Sequence, residues 1–387
     1  MRTRALTIAA ILATLALACQ PGPDAFAFKL LRLKSGAASG KGSDAPTEKI
    51  GLNVPKPPAN PRAIDKHMQL GDSFFERKDY TNALIEYQSV LKQDDNNFKA
   101  HFMLAKILLA LTDYQEALKE ARIVVSLRPM SSDAHFILAE ALRLQGDHQQ
   151  AADEYRTALK CDHKNALAHA YLAECYRMKT WYRPAIGQCK AAIKLDGKLA
   201  VPHLILAQCY LAVRQTDLAL DEYKRAIDLD PKDPVAHARL AETLGNLGKW
   251  DRAVSEYSRA VDLDPSYALA HKGLSWALAN MNKLEEARSE ARTALSLAPN
   301  DPDTHANLAW VYDKLGDHPA AVNHYRLALK LDPGNARLHR SLGLALADAG
   351  DINGAIAELL TTTRLQPKDS EARLCLHMLM QQKNSKK

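Results

Sequence analysis

Aromatic side chains are scarce, 6% of the 387 residues, while alanine and leucine are used heavily. That balance argues against a β-sandwich or barrel, which draws on aromatic and β-branched residues, and favours helices. Cysteine is sparse as well. The six cysteines, at 19, 161, 175, 189, 209 and 375, form neither a CxxC zinc pattern nor the dense framework of a disulfide scaffold. The five beyond the leader are expected to be mostly buried thiols. No apolar run is long enough to span a bilayer as a helix: the apolar run near the start, Ala5 to Leu17, has thirteen residues where about 20 are needed. An excess of one charge is also missing where the bulk of the chain lies. The formal charge of +6 comes from Arg2 and Arg4, from residues 20–62, and from Lys383, Lys386 and Lys387, leaving residues 63–382 slightly acidic. A basic footprint for nucleic acid is therefore absent there. There is no nucleophile elbow, P-loop, HExxH or glycine-rich dinucleotide turn, so neither catalysis nor a cofactor is expected.

The first residues, Met1-Arg2-Thr3-Arg4 followed by the apolar run, have the basic start and short apolar core of a secretory signal peptide. An uncleaved anchor or a buried helix is the alternative. Ala16-Leu17-Ala18 supplies small residues for cleavage after 18, and Ala25-Phe26-Ala27 supplies them for cleavage after 27. Cys19, directly after Ala18, resembles the lipidated cysteine of a bacterial lipoprotein. Such proteins usually have leucine three residues earlier, and here that residue is Ala16, with leucines at 15 and 17. Both a lipid anchor and free release follow from these letters. Residues 19–63 are rich in Gly, Ser, Pro and Lys, running from Ser35-Gly36-Ala37-Ala38-Ser39-Gly40 to Val54-Pro55-Lys56-Pro57-Pro58. They are expected to form a disordered linker, flexible first and stiffer later.

Beyond the linker one period dominates. Taking residues 64–97 as a unit and stepping by 34, position 7 is Leu70, Leu104, Leu138, Leu172, Leu206, Leu240, Leu274, Leu308 and Leu342. Position 20 is alanine every time, from Ala83 and Ala117 through to Ala355. Position 32 is proline in six units, among them Pro129, Pro231 and Pro367. Nine units fill 64–369 without an insertion: 64–97, 98–131, 132–165, 166–199, 200–233, 234–267, 268–301, 302–335 and 336–369. Positions 4, 7, 8 and 11 form one apolar stripe on a first helix, and positions 20, 24 and 27 form one on a second. Turns such as Leu247-Gly248-Lys249-Trp250 join the two, and Asp-Pro pairs such as Asp264-Pro265 close the second. Small residues at 8 and 20 let the helices approach, and bulkier ones at 7, 11 and 24 fill the space between.

The series Leu70-Gly71-(x2)-Phe74, Ala83-(x3)-Tyr87 and the later prolines, at period 34, resembles the tetratricopeptide repeat over 64–369. The resemblance implies an all-α, right-handed superhelical solenoid of antiparallel helix pairs, with a concave groove lined by the first helix of each pair. Residues 370–387 then form a capping helix and basic tail, with Ala372, Leu376 and Met380 on its apolar stripe and a polar outer face.

Position 4 is histidine in all nine units: His67, His101, His135, His169, His203, His237, His271, His305 and His339. Spacing argues against a shared metal. Neighbouring helices lie about 8–10 Å apart, whereas metal–nitrogen bonds are about 2 Å. A structural role is expected, with a flat ring whose nitrogen is satisfied at the helix junction. If the rings are buried neutral, acid destabilises the fold.

The resemblance also implies ligand contacts at positions 2, 5, 9, 12 and 13 of the first helix. Position 5 gives Met68, Phe102 and Phe136, and position 9 gives Glu140, Glu174, Glu242, Trp276 and Trp310. Position 12 adds Arg143 and Arg177, spaced to pair with Glu140 and Glu174, and position 13 adds Asn280. The expected surface has an apolar entrance, a charged middle and an aromatic far end suited to a peptide or partner helix. The alternative is that these residues pack internally. Trp181 and Trp250 fall in turns and are expected to be structural. Two known specificities do not carry over: the only position-5 lysine is Lys272, with Trp276 at position 9, and the only position-6 asparagine is Asn307. The sequence thus points to a non-catalytic adaptor for a protein or peptide of the bacterial envelope, periplasmic, membrane-anchored through Cys19, or secreted. A self-associating scaffold of a secretion, pilus or cell-wall assembly is the alternative.

Overall fold

The computed structural model describes residues 60–385. The leader, Cys19 and the linker as far as residue 59 lie outside them. Nineteen helices and no strands make up the described residues. In chain order they are α1 (Pro61–Glu76), α2 (Tyr80–Gln93), α3 (Phe98–Ala110), α4 (Tyr114–Leu127), α5 (Ser132–Gln145), α6 (His148–Cys161), α7 (Ala166–Met178), α8 (Tyr182–Leu195), α9 (Ala200–Ala212) and α10 (Thr216–Leu229). There follow α11 (Pro234–Asn246), α12 (Trp250–Leu263), α13 (Ala268–Asn280), α14 (Leu284–Leu297), α15 (Pro302–Lys314), α16 (His318–Leu331), α17 (Ala336–Asp348), α18 (Ile352–Leu365) and α19 (Ser370–Ser385). The helices α1–α18 fall two to a repeat. Among the described residues no helix is long and apolar enough to cross a membrane.

The chain divides into two compact units at Trp181/Tyr182, inside the fourth repeat. Within each unit the helices stack in chain order. First helices also meet the first helix of the next repeat, as α3 meets α5 and α13 meets α15. That arrangement is a helical solenoid. Alanine at position 20 is fully buried in every repeat, which lets the paired helices approach closely. Leucine at position 7 is buried in eight repeats. Leu70 is the exception, 38% exposed, because no described helix precedes α1 to cover it.

Local chemistry sets the helix ends. Asn97, Ser131, Asn165, Asp233, Asp301 and Asn335 at position 34 cap the following first helix with a side-chain oxygen. Asp79, Asp113, Asp147, Asp317 and Asp351 at position 16 do the same for second helices. Between them, position 15 has a positive φ in every repeat, supplied by Gly146, Gly248, Gly316 and Gly350 but also by Lys78, Thr112, Thr180, Arg214 and Asn282.

Three expectations change. The linker ends before residue 61, not at 63, because Asn60 caps Ala63 N–H and Pro61 opens α1 at its first turn. Trp250 is the first residue of α12 rather than part of the turn. The face that α19 presents to the array runs through Ala372, Cys375, Leu376 and Leu379, while Met380 is exposed. Its outer side is not uniformly polar, since Leu374 and Met378 are also exposed.

Candidate binding surface and the histidine ladder

The position-4 histidines do structural work through both ring nitrogens. Nδ1 of His101 lies 2.5 Å from Glu120 Oε2, and its Nε2 lies 3.0 Å from the Asp95 carbonyl. His135, His237, His271 and His339 repeat both contacts with Glu154, Glu256, Glu290 and Glu358 and with the carbonyls of Pro129, Pro231, Pro265 and Pro333. His67 and His203 pair with Glu86 and Glu222. A carbonyl only accepts, so Nε2–H is the donor to it. Nδ1 and the carboxylate then share one further proton. In these seven repeats the ring therefore has a carboxylate directly beside Nδ1. Repeat eight differs: His305 Nδ1 faces His324 Nδ1 at 3.3 Å.

In the first unit, Met68, Phe102 and Phe136 are half-buried rather than exposed. Met68 packs on the core, Phe102 stacks on Phe98 at 6.0 Å, and Phe136 lies edge-on to Tyr155 at 5.7 Å. Glu140 accepts two hydrogen bonds from Arg143, at 3.0 and 2.9 Å, and one from the Tyr155 hydroxyl. The Arg143 guanidinium also covers the Tyr171 ring at 4.6 Å. Burial and then the Glu140 carboxylate push the Tyr155 hydroxyl well above the usual phenol range. Glu174 and Arg177 form a second bidentate pair at 2.8 and 2.7 Å. Both pairs have the i, i+3 spacing anticipated, and the Glu140 cluster is saturated internally.

In the second unit, Glu242, Trp276 and Trp310 line one open cavity of about 580 Å³ on the first-helix face of α11, α13 and α15. Asn280 is not part of it. Its amide donates to the Trp276 carbonyl at 2.8 Å, and its side chain lines a separate hollow beside Trp250. The Trp276 ring meets the edge of Trp250 at 4.8 Å and lies over Gly245, where a Cβ would run into it. Lys314 sits 5.7 Å from the Trp310 ring centre. Arg239 donates to Glu242 at 2.9 Å, and Lys272 stands 3.6 and 3.7 Å from Asp301 and Asp303. Tyr257, Tyr267 and Tyr325 complete the wall, and burial pushes all three hydroxyls upward.

Family models described as tetratricopeptide repeat match residues 102–166 and 238–302, residues 200–243 and residues 302–335. The chain belongs to the tetratricopeptide repeat family. Among solved structures it is similar to PilW, described as a widely conserved type IV pilus biogenesis factor, at 18% identity over 55% of this chain and 98% of PilW, with a TM-score of 0.51. It is also similar to pilF of Pseudomonas aeruginosa, at 20% identity over 58% of this chain and 99% of that one, with a TM-score of 0.49. YrrB, described as a TPR protein with an unusual peptide-binding site, gives 19% identity over 48% and 96%, with a TM-score of 0.39. At these identities the likeness shows the fold alone. No curated protein matches the chain.

Within this tetratricopeptide array, sequence reasoning missed the cavity's tyrosines and Gly273 in its lining, and also Gly245 beneath the Trp276 ring. The available signal was pairing: a glycine on a first helix beside a large ring, as Gly245 lies under Trp276 and Gly273 under Tyr257. Asp313, His318 and Asp348 bring ligand atoms within 4.8 Å of one another. His318 Nδ1 is already bonded to Asp313 at 2.9 Å, an arrangement that an ordinary ion pair explains.

Proposed function

We propose that this array is a non-catalytic adaptor that holds an extended peptide or helix of a protein partner on the first-helix face of repeats six to eight. The observation that carries this reading is the cavity with Trp276 and Trp310 on adjacent first helices. Two half-buried indoles with open space between them suit an anchor site better than a closed core. The leader-like start supports placing the adaptor outside the cytoplasm, in the bacterial envelope, with Cys19 as its lipid anchor. A self-associating scaffold would use the same face for a second copy.

The test is selection from a random peptide library on the full chain, repeated on Trp276→Ala and Trp310→Ala, with sedimentation across a hundredfold range of concentration. Selected peptides that lose about 30-fold in affinity on either variant support the adaptor, since an anchoring aromatic contributes about 2 kcal/mol or more. No selected peptide, together with concentration-dependent assembly abolished by the same variants, replaces it with the scaffold. Peptides that bind both variants as they bind the unaltered chain overturn the assignment of this face.

A further inference from the structure

The floor between neighbouring first helices is filled from position 24 of the second helix. Tyr87, Tyr155, Tyr223, Tyr257 and Tyr325 are buried there. Such a ring reaches position 8 of its own repeat, since a Cβ on Gly71 would meet the Tyr87 ring at 2.9 Å. It also reaches position 6 of the next repeat: Tyr155 stacks on Tyr171 at 6.2 Å, Tyr257 presses on Gly273, and Tyr325 hydrogen-bonds Ser341. Where position 24 is small, position 6 of the next repeat compensates. Ala121 is followed by Ile137, and Cys189 by Ile205, all buried.

Repeat seven breaks the rule. Its position 24 is Ala291, the following position 6 is Asn307, and its own position 8 is Ser275, where other repeats have alanine or glycine. Asn307 Oδ1 and Ser275 Oγ are both buried without a hydrogen-bond partner. By register these are the two places that a position-24 ring would reach. Unpaired buried polar atoms are costly and call for an explanation. Asn307 lines the cavity together with Gly273, Trp276 and Trp310.

We infer that this cavity takes the neutral phenol side chain of a tyrosine in a bound peptide, standing in for the ring that repeat seven lacks. The inference rests on the peptide-binding reading of the same face. The phenol O–H donates to Asn307 Oδ1 at the cavity wall, and the ring lies between the two indoles. Charge agrees with a neutral occupant. Arg239 pairs with Glu242, and Lys272 lies near both Asp301 and Asp303, so the cavity's charges balance among themselves. A phosphorylated or carboxylate-bearing ring would meet Glu242 and Asp303 with like charge.

The probes are p-cresol and toluene, titrated by NMR into the full chain, into Ala291→Tyr and into Asn307→Leu. The expected result is p-cresol binding about tenfold tighter than toluene, the effect of one buried hydrogen bond. Ala291→Tyr, which fills the space from within, abolishes cresol binding, and Asn307→Leu removes the preference over toluene. Equal binding of the two probes, no cresol binding up to its solubility, or cresol binding unchanged in Asn307→Leu overturns the inference. Cresol binding with no peptide selected from the library would leave the phenol site standing and remove the peptide-binding function. Peptides selected without enrichment of tyrosine would do the reverse.

Discussion

Replacing Glu120 tests how the histidine ladder holds each helix pair together. His101 donates Nε2–H to the Asp95 carbonyl at 3.0 Å and presents Nδ1 to Glu120 at 2.5 Å. Its side chain is only 8% exposed, and that of Glu120 is 22% exposed. Glu120→Ala leaves one ring nitrogen, and any charge on the ring, without a partner. A hydrogen bond to a charged group contributes about 1.5–3 kcal/mol. Because Glu120 lies partly in water, which enters to replace it, the expected loss is near the lower half, about 2 kcal/mol. Glu120→Gln behaves differently. Its amide N–H donates to Nδ1 of a neutral ring whose Nε2–H still serves Asp95, so both contacts survive and the loss stays below about 1 kcal/mol. Gln188 already occupies the equivalent position in repeat four. Repeat arrays open in segments, so amide hydrogen exchange of α3 and α4 is the suitable assay. Exchange is expected to accelerate about 30-fold in Glu120→Ala and less than fivefold in Glu120→Gln. Equal acceleration in the two variants would refute the shared-proton account, and no acceleration in either would show that the ladder does not hold the pair.

Other expectations follow from the same geometry. Thr112 has φ of 61°, a conformation costing a β-branched residue about 1–2 kcal/mol, so Thr112→Gly should gain about 0.5–1 kcal/mol after the added chain entropy, read as slower exchange in α3 and α4. Lys249 stands at the start of α12 without a capping hydrogen bond, where five other second helices have aspartate; Lys249→Asp should gain about 1 kcal/mol, measured as roughly fivefold slower exchange there. Burial, then His305 and Arg292, hold the His324 imidazole below its ordinary value. The folded chain therefore resists a proton that the unfolded chain accepts, and stability falls as pH drops through about 6.5. Thermal melts at pH 7.5 and 5.5 should show that loss reduced in His324→Glu, which restores the pairing of the other repeats. Burial pushes the Cys175 thiol up to about 12, so iodoacetamide should label the half-buried Cys161 and Cys375 well before Cys175, with equal labelling only in denaturant.

The architecture was legible because period 34 fixes nearly everything that builds it. The alanine at position 20 and the leucine at position 7 mark the two helix faces, and both are buried as the stripes imply, apart from Leu70 at the uncovered end. The histidine's structural role was also legible, but its partner was not. Glutamate at position 23 lies nineteen residues away on the other helix, and helical periodicity within one helix does not connect the two. The surface was read less well. A helical wheel places position 5 off the core stripe, yet neighbouring repeats supply a second wall, so Phe102 and Phe136 are half-buried against rings that one helix alone does not reveal. Trp276 and Trp310 do line an open cavity, but its floor depends on Gly273 lying against the Tyr257 ring, and the sequence shows that fit only when position 24 is compared with position 6 of the next repeat.

The most direct test of the adaptor account is a hydrogen-exchange footprint of a library-selected peptide on the full chain. The account predicts slowed exchange concentrated in α11, α13 and α15, vanishing when Trp276 and Trp310 are both replaced by alanine. Protection confined to the second helices α12, α14 and α16, or protection that survives the double replacement, would contradict it.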